Sequence, residues 1–146
     1  DGKNMFAATT CITCHSMGGA GENIGPDLTQ LGTRFSPEDM LKSIIDPSAV
    51  ISDQYNTTTF SLKNGQAVVG RIVNEDQQNY TISQNPYAPE VTRTIPKDQV
   101  TGKAQSTVSL MPPGTINRLN PDELKDLLAY LVAGGNPDNA IYKDAK

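Results

Sequence analysis

The chain holds two cysteines and one histidine, and all three stand together at Cys11, Cys14 and His15. Two residues separate the thiols, and the imidazole follows the second thiol directly. A stretch of this length spans little more than one helical turn, so the three side chains leave the backbone close to one another. Any thiol or imidazole chemistry of this chain is therefore confined to one short segment.

Covalent haem attachment is the chemistry that this Cys-x-x-Cys-His pattern indicates. The two thiols reach the two vinyl-derived carbons at one edge of the porphyrin, and the next residue places its imidazole under the iron. We therefore expect one covalently bound haem c with its iron in each chain, held by Cys11, Cys14 and His15.

Three other interpretations of the motif fit this sequence less well. A thioredoxin-like dithiol requires a preceding strand in a βαβ unit, which residues 1–10 do not supply. A structural zinc site as a rule needs four Cys or His ligands, and the chain has three such residues. A disulfide between residues three apart is geometrically awkward, and it does not explain why the only histidine follows Cys14 directly.

The second axial position of the iron is either filled by a methionine or open, because the chain has no second histidine. Met5 and Met40 lie among apolar residues of expected helices, where a methionine is more often core packing. Met17 is two residues past His15 and stands on the proximal side. Met111 precedes a Pro-Pro-Gly loop that is stiff in φ and holds a weak ligand with little loss of entropy. We predict His15 and Met111 as the iron ligands.

Helical patterns occur at both ends of the chain. Residues 3–10 suit a short helix that ends near the cysteines. A second helix is expected after Ser36, which is followed directly by a proline and has an aspartate three residues on, and it should end at Asp46-Pro47. A third helix should begin after Asn120 with the same capping pattern and stop at Gly134.

The middle of the chain has the composition of strands. Residues 55–73 are rich in Thr, Val, Tyr and Phe and are divided by Asn64-Gly65, a strong hairpin-turn dipeptide. Short strands are therefore expected at 55–62, 66–73, 80–83 and 91–95. We predict one domain over residues 1–146 with a β-rich insertion at 52–101, folded as an antiparallel sheet of three or four strands.

Composition and charge limit the classes of partner that this chain can bind. The 146 residues are 36% hydrophobic and 19% charged, a globular balance. No stretch approaches the roughly 20 consecutive apolar residues of a membrane span, and no basic stripe for nucleic acid is present. Residues 1–60 hold 3 basic and 7 acidic side chains, which favours a partner with a basic docking surface. We interpret the chain as a mature exported protein or as a domain of a longer one.

The two ends of the chain resemble class I c-type cytochromes. Besides the attachment motif, the likeness rests on Gly2-Lys3 with Phe6, Gly25-Pro26-Asp27-Leu28, Met111-Pro112, and a last helix with Leu127, Tyr130 and Leu131. The resemblance implies a mainly α cytochrome c fold, with three or more short helices around the haem and a small antiparallel β insertion between the second helix and the distal-ligand loop. It also implies that Phe6 and Tyr130 meet where the first and last helices cross.

The resemblance also implies haem-binding roles for Pro26 and Leu28, which follow the motif in the sequence. In that family a proline offers its carbonyl to the other ring nitrogen of the ligand histidine, and Pro26 matches it. Such a bond would fix the tautomer of His15 and tune the iron. Leu28 would wall the haem pocket. The resemblance implies electron transfer with His/Met axial ligation, and haem attachment in the periplasm or another exported compartment.

The 96 residues from His15 to Met111 exceed the spacing of a compact class I cytochrome, and the β insertion accounts for the difference. The insertion, taken with three motifs, resembles haem-binding domains appended to large exported dehydrogenase-like proteins with β-propeller modules. The motifs are Ile24-Gly25-Pro26-Asp27-Leu28, Asp46-Pro47-Ser48 and Met111-Pro112-Pro113-Gly114. This likeness implies a carrier or relay domain, not itself an enzyme, that serves a separate redox partner or a fused dehydrogenase domain. Two alternatives stay open: a peroxidase-like haem enzyme or gas sensor with an open iron site, and a non-haem interaction module built on the sheet.

Overall fold

The computed structural model describes residues 1–52, 55–85, 88 and 90–143. The chain forms two compact units. The helical unit consists of Asp1–Ala49 and the segment from Pro112 onward, and the sheet unit is Val50–Met111. The division into one domain with an insertion at 52–101 stays a prediction.

Three α-helices occur in the described residues: α1 (Gly2–Ala8), α2 (Pro37–Ile45) and α3 (Pro121–Ala133). The predicted caps of the last two are confirmed. Ser36 and Asn120 each accept a hydrogen bond from the backbone N–H three residues on, and the acidic side chains there, Asp39 and Glu123, accept from the N–H of the cap. α3 ends at Gly134, whose φ of 62° is left-handed. None of these helices is long and apolar enough to cross a membrane.

α1 and α3 pack against each other at a close crossing. The ring centroids of Phe6 and Tyr130 lie 5.5 Å apart with their planes inclined by 56°, a geometry that favours an aromatic pair. Gly2 permits the approach, because a Cβ there would overlap the backbone carbonyl of Asp126 and the Cβ of Tyr130. The expected contact between the first and last helices is confirmed.

Two short strands follow the attachment motif. β1 (Ser16–Met17) pairs antiparallel with β2 (Ala20–Gly21). The turn between them consists of Gly18 and Gly19, whose φ values of 60° and 85° suit glycine. The sequence does not predict this hairpin, because two-residue strands leave no alternating pattern to detect.

The sheet unit contains a five-stranded antiparallel sheet in the order β6-β5-β4-β3-β7. Its strands are β3 (Thr58–Leu62), β4 (Ala67–Glu75), β5 (Asn79–Ser83), β6 (Thr92–Pro96) and β7 (Val100–Gln105). The predicted hairpin turn is confirmed, since Gly65 has a φ of 83° between β3 and β4. β7 pairs with β3, which lies about 40 residues earlier in the chain. The sequence does not predict β7, because its residues are mostly polar and show no strand pattern.

One face of the sheet carries a hydrophobic core built from the sheet unit alone. Its buried side chains are Phe60, Val68, Ile82 and Ile95. The Phe60 ring packs against Tyr80 with the centroids 5.0 Å apart. The ammonium groups of Lys97 and Lys103 lie 5.0 and 5.2 Å from the Tyr80 ring centroid, so cations cover the edge of this core.

The expectation of a mainly α cytochrome c fold is wrong. Of the described residues, 30% are helical, 3-10 helices included, and 25% are in strands, and the antiparallel sheet has five strands where three or four are expected. The α-helices are short, with 7, 9 and 13 residues. The five strands between residues 58 and 105 are rich in Thr and Val, and the sheet they form contains about as many described residues as the three α-helices.

Candidate functional site

A left-handed turn at Thr10 carries the chain from α1 into the Cys-x-x-Cys-His motif. Thr10 has a φ of 64° and a ψ of 11°, and it is the only residue besides glycine with a positive φ in the described chain. This conformation is strained for a β-branched side chain. The Thr10 carbonyl accepts hydrogen bonds from the N–H and the hydroxyl of Thr13, at 3.1 and 2.6 Å, which stabilise the turn. The next residues, Cys11–Thr13, form a 3-10 helix.

The two cysteine side chains of the motif are half-buried and are not joined in a disulfide. The Cys11 Sγ lies 3.3 Å from the hydroxyl oxygen of Thr9, which donates to the Met5 carbonyl at 2.7 Å. Because the Thr9 proton is used in that bond, the Cys11 S–H is the donor toward Thr9. Burial raises the pKa of the Cys11 thiol, so this sulfur is protonated at neutral pH.

His15 is held in one tautomer by the backbone of Pro26. Its Nδ1 lies 2.8 Å from the Pro26 carbonyl oxygen. A carbonyl only accepts, so Nδ1 carries the ring proton and Nε2 keeps its lone pair. Burial lowers the pKa of His15, although the bond to Pro26 acts in the opposite direction. A neutral imidazole with its lone pair on Nε2 is the form that binds a metal ion.

Gly25 leaves the space that the His15 ring occupies. A Cβ at this position would lie 2.7 Å from Cε1 and 3.0 Å from Nδ1 of His15. The Gly25 N–H donates to the Cys14 carbonyl at 2.7 Å, so the backbone passes directly against the imidazole. The absence of a Cβ therefore allows the next residue, Pro26, to reach Nδ1.

The structure places the predicted site residues in two units. Leu28 is half-buried and donates its N–H to the Ser16 carbonyl at 2.9 Å. Met111 is half-buried, is the last residue of the sheet unit, and donates its N–H to the Ser109 hydroxyl at 3.1 Å. The helical unit holds the other five: Cys11, Cys14, His15, Pro26 and Leu28. The ligand role of Met111 stays a prediction from the sequence.

Two features of this site are not predicted from the sequence. One is the strained turn at Thr10, for which a β-branched residue gives no signal. The other is the side-chain hydrogen bond from Ser16 to Asp27, with 2.6 Å between Oγ and Oδ2. Asp27 also accepts from the N–H of Thr29, two residues on, which is the Asx-turn pattern that could have drawn attention to it.

Comparison with known proteins gives one family. A family model described as cytochrome c matches residues 1–83, which contain the Cys-x-x-Cys-His motif and amount to more than half of the chain. The chain belongs to the cytochrome c family. This cytochrome c binds haem c covalently, with its iron, and has an electron-transfer role. Cytochrome c domains are typically exported. No curated protein matches the chain.

The residues of this cytochrome c fit the haem that its family carries. Cys11 and Cys14 offer two thiols at the attachment spacing, and His15 offers Nε2 as an iron ligand. The hydroxyl of Thr115 is buried and has no hydrogen-bond partner among the described residues. Buried hydroxyls normally have a hydrogen-bond partner, so the Thr115 hydroxyl is free to donate to an acceptor on the cofactor, such as a haem carboxylate.

Replacing Gly25 with alanine should disturb the His15 ring, because the added Cβ would lie 2.7 Å from Cε1. Overpacking of this kind destabilises a protein by about 1–3 kcal/mol. Urea unfolding of the haem-loaded protein, followed by Soret absorbance, measures the loss. Gly102→Ala is the matched control, since its Cβ would meet nothing closer than 3.9 Å. Equal losses in the two variants would contradict the packing of Gly25 on His15.

Proposed function

We propose that this cytochrome c is an electron carrier or relay with His15 and Met111 as axial ligands, serving a redox enzyme in the periplasm or another exported compartment. The observation that carries the proposal is the neutral His15, whose Nδ1 proton is bound to Pro26 and whose Nε2 is left as a ligand. When bound, the haem supplies a one-electron couple between ferric and ferrous iron. The chain supplies the ligands, the covalent attachment and the surrounding dielectric.

Met111 is the methionine whose setting best suits a ligand. Met17 and Met40 are 2% and 3% exposed and belong to β1 and α2, where they pack in the interior. Met5 lies within α1, ahead of the attachment motif. Met111 is half-buried outside any helix or strand and is followed by two prolines that restrict the backbone. A thioether in this position saturates the iron, which favours electron transfer over chemistry at the metal.

Replacing Met111 with alanine should remove the weak far-red sulfur-to-iron absorption band of the ferric protein and lower the reduction potential. The physical reason is that a thioether ligand stabilises ferrous iron relative to ferric iron. Met40→Leu, a substitution that conserves volume in a buried position, should keep the band and serves as the control.

The same spectra test the alternative function. A wild-type ferric protein that lacks the far-red band and has a high-spin iron would contradict the Met111 assignment. It would make an open-site enzyme or gas sensor the better account, because substrate or gas then has direct access to the metal.

Surface charge supports a partner with a basic docking surface. The net charge is −4, and residues 1–60 hold 3 basic and 7 acidic side chains. This range contains the attachment motif, so an approaching cation is attracted to the part of the chain that holds the haem. We propose docking on the helical unit near the attachment motif, either by a separate redox protein or by a dehydrogenase domain.

Rates of electron exchange with small charged reagents should reveal this attraction. We expect the second-order rate with hexaammineruthenium, a cation, to fall as ionic strength rises, because salt screens the attraction. The rate with ferrocyanide or ferricyanide, which are anions, should rise over the same range. Stopped-flow absorbance measures both. Identical salt dependence for the two reagents would contradict an acidic docking side.

The haem should also stabilise the helical unit, whereas the sheet unit has a core of its own. A ligand that binds only the folded chain stabilises it, and loss of a large apolar group leaves a destabilising cavity. In the haem-free double variant Cys11→Ser, Cys14→Ser, we expect amides of β3, β4 and β5 to stay protected from hydrogen exchange while those of α1 and α3 lose protection. The haem-loaded protein is the control. A cooperative, native-like melt of the haem-free chain would show that this expectation is wrong.

A further inference from the structure

The hydroxyl of Ser16, the residue directly after His15, is buried and linked to a carboxylate. Ser16 is 6% exposed. Its Oγ lies 2.6 Å from Asp27 Oδ2 and 2.9 Å from Asn23 Oδ1. The hydroxyl has a single proton, and the shorter distance together with the charge of the carboxylate directs it to Asp27. Ser16 therefore donates its proton to Asp27 Oδ2.

Asp27 is fixed from its other side by Thr29. Its Oδ1 accepts from the Thr29 N–H at 2.8 Å, and the Thr29 hydroxyl accepts from the Gly18 N–H at 2.8 Å. Hydrogen bonds from Ser16 and Thr29 lower the pKa of Asp27, so the side chain is ionised at neutral pH. The carboxylate is thus held between β1 and the turn that follows Pro26.

The Ser16–Asp27 bond lies beside the His15–Pro26 bond in the chain. Ser16 follows His15 and Asp27 follows Pro26, so each bond joins the same two segments one residue further on. Backbone bonds complete the set, from the Gly25 N–H to the Cys14 carbonyl at 2.7 Å and from the Leu28 N–H to the Ser16 carbonyl at 2.9 Å. Of these bonds, only the one between Ser16 and Asp27 joins two side chains and can be removed by substitution without touching the imidazole or its acceptor.

We propose that Asp27 is a positioning residue for His15, which acts through the Ser16 hydroxyl to hold the Pro26 carbonyl on Nδ1. Without this link the segment that carries Pro26 loses a side-chain bond next to the carbonyl, and the bond to Nδ1 opens more often. When the Nδ1 proton is less constrained, Nε2 donates less electron density to the iron. Ferric iron is then stabilised less, and the reduction potential rises. The proposal rests on His15 as a ligand and does not depend on Met111.

The test uses haem-loaded protein and two readouts, the exchange rate of the His15 Nδ1 proton by NMR and the midpoint potential. In Asp27→Ala and Ser16→Ala we expect exchange at least about tenfold faster, the effect of losing a hydrogen bond to a charged group, and a raised potential. Ser16→Thr keeps the hydroxyl and should keep the wild-type exchange rate. Asp76→Ala is the control, because Asp76 likewise accepts two hydrogen bonds, from the backbone N–H groups of Gln78 and Asn79, but lies in the sheet unit.

Asp27→Asn separates a hydrogen bond from a charge. It removes the charge and keeps an acceptor oxygen, so exchange should lie between those of the wild type and Asp27→Ala. A raised potential in both Asp27 variants with an unchanged Ser16→Ala would mean that the charge acts through space, and the proposal would fail. It would also fail if folded Asp27→Ala and Ser16→Ala matched the wild type in both readouts. If the wild-type His15 ring protons show no shift from the haem, the ligand assignment itself is wrong.

Discussion

The hydrogen bond from His15 Nδ1 to the Pro26 carbonyl is the interaction on which the site depends. It decides which ring nitrogen carries the proton, and so which nitrogen is available to a metal. Its 2.8 Å length requires the chain at Gly25 to pass within contact of the imidazole, which a side chain there would prevent. A proline supplies the carbonyl, and its fixed φ limits how far that oxygen can move. One backbone oxygen thus determines the chemistry of the only histidine in the protein.

The helices support this bond from a distance. The crossing of α1 and α3, with Phe6 against Tyr130, fixes the end of α1 from which the attachment motif starts. Gly2 and Gly25 have the same effect at two places, because neither has a Cβ. The missing Cβ lets α3 approach Gly2 and lets the imidazole of His15 approach Gly25. The sheet unit has a separate core around Phe60, and this explains how a long insertion can fold without large helices to cover it.

Local signals in the sequence predict the parts of this protein that follow from local physics. The caps at Ser36 and Asn120 and the hairpin turn at Gly65 follow from side-chain hydrogen bonding and backbone freedom within a few residues. β7 is not predicted because its stability comes from pairing with β3, which is distant in sequence. The mainly α fold class fails for a related reason, since a family likeness at the two ends says little about a β segment between them.

The site also combines features that nearby residues determine with features that depend on distant segments meeting. The spacing of Cys11, Cys14 and His15 points directly to haem, because these residue types have few other uses in that order. The link between Ser16 and Asp27 depends on two segments meeting in space, and only the structure reveals it. The role of Met111 depends on how a loop is placed in the haem-loaded protein, so the sequence supplies a candidate and the spectrum has to test it.

The left-handed turn at Thr10 has a consequence for engineering. A left-handed conformation destabilises an ordinary residue by about 1–2 kcal/mol, and glycine would remove that strain but lose about 0.5–1 kcal/mol through the greater freedom of the unfolded chain. Asparagine tolerates the conformation better than threonine and adds less freedom than glycine. Thr10 is therefore a position where a substitution can raise the free energy of unfolding while Cys11, Cys14 and His15 stay unchanged.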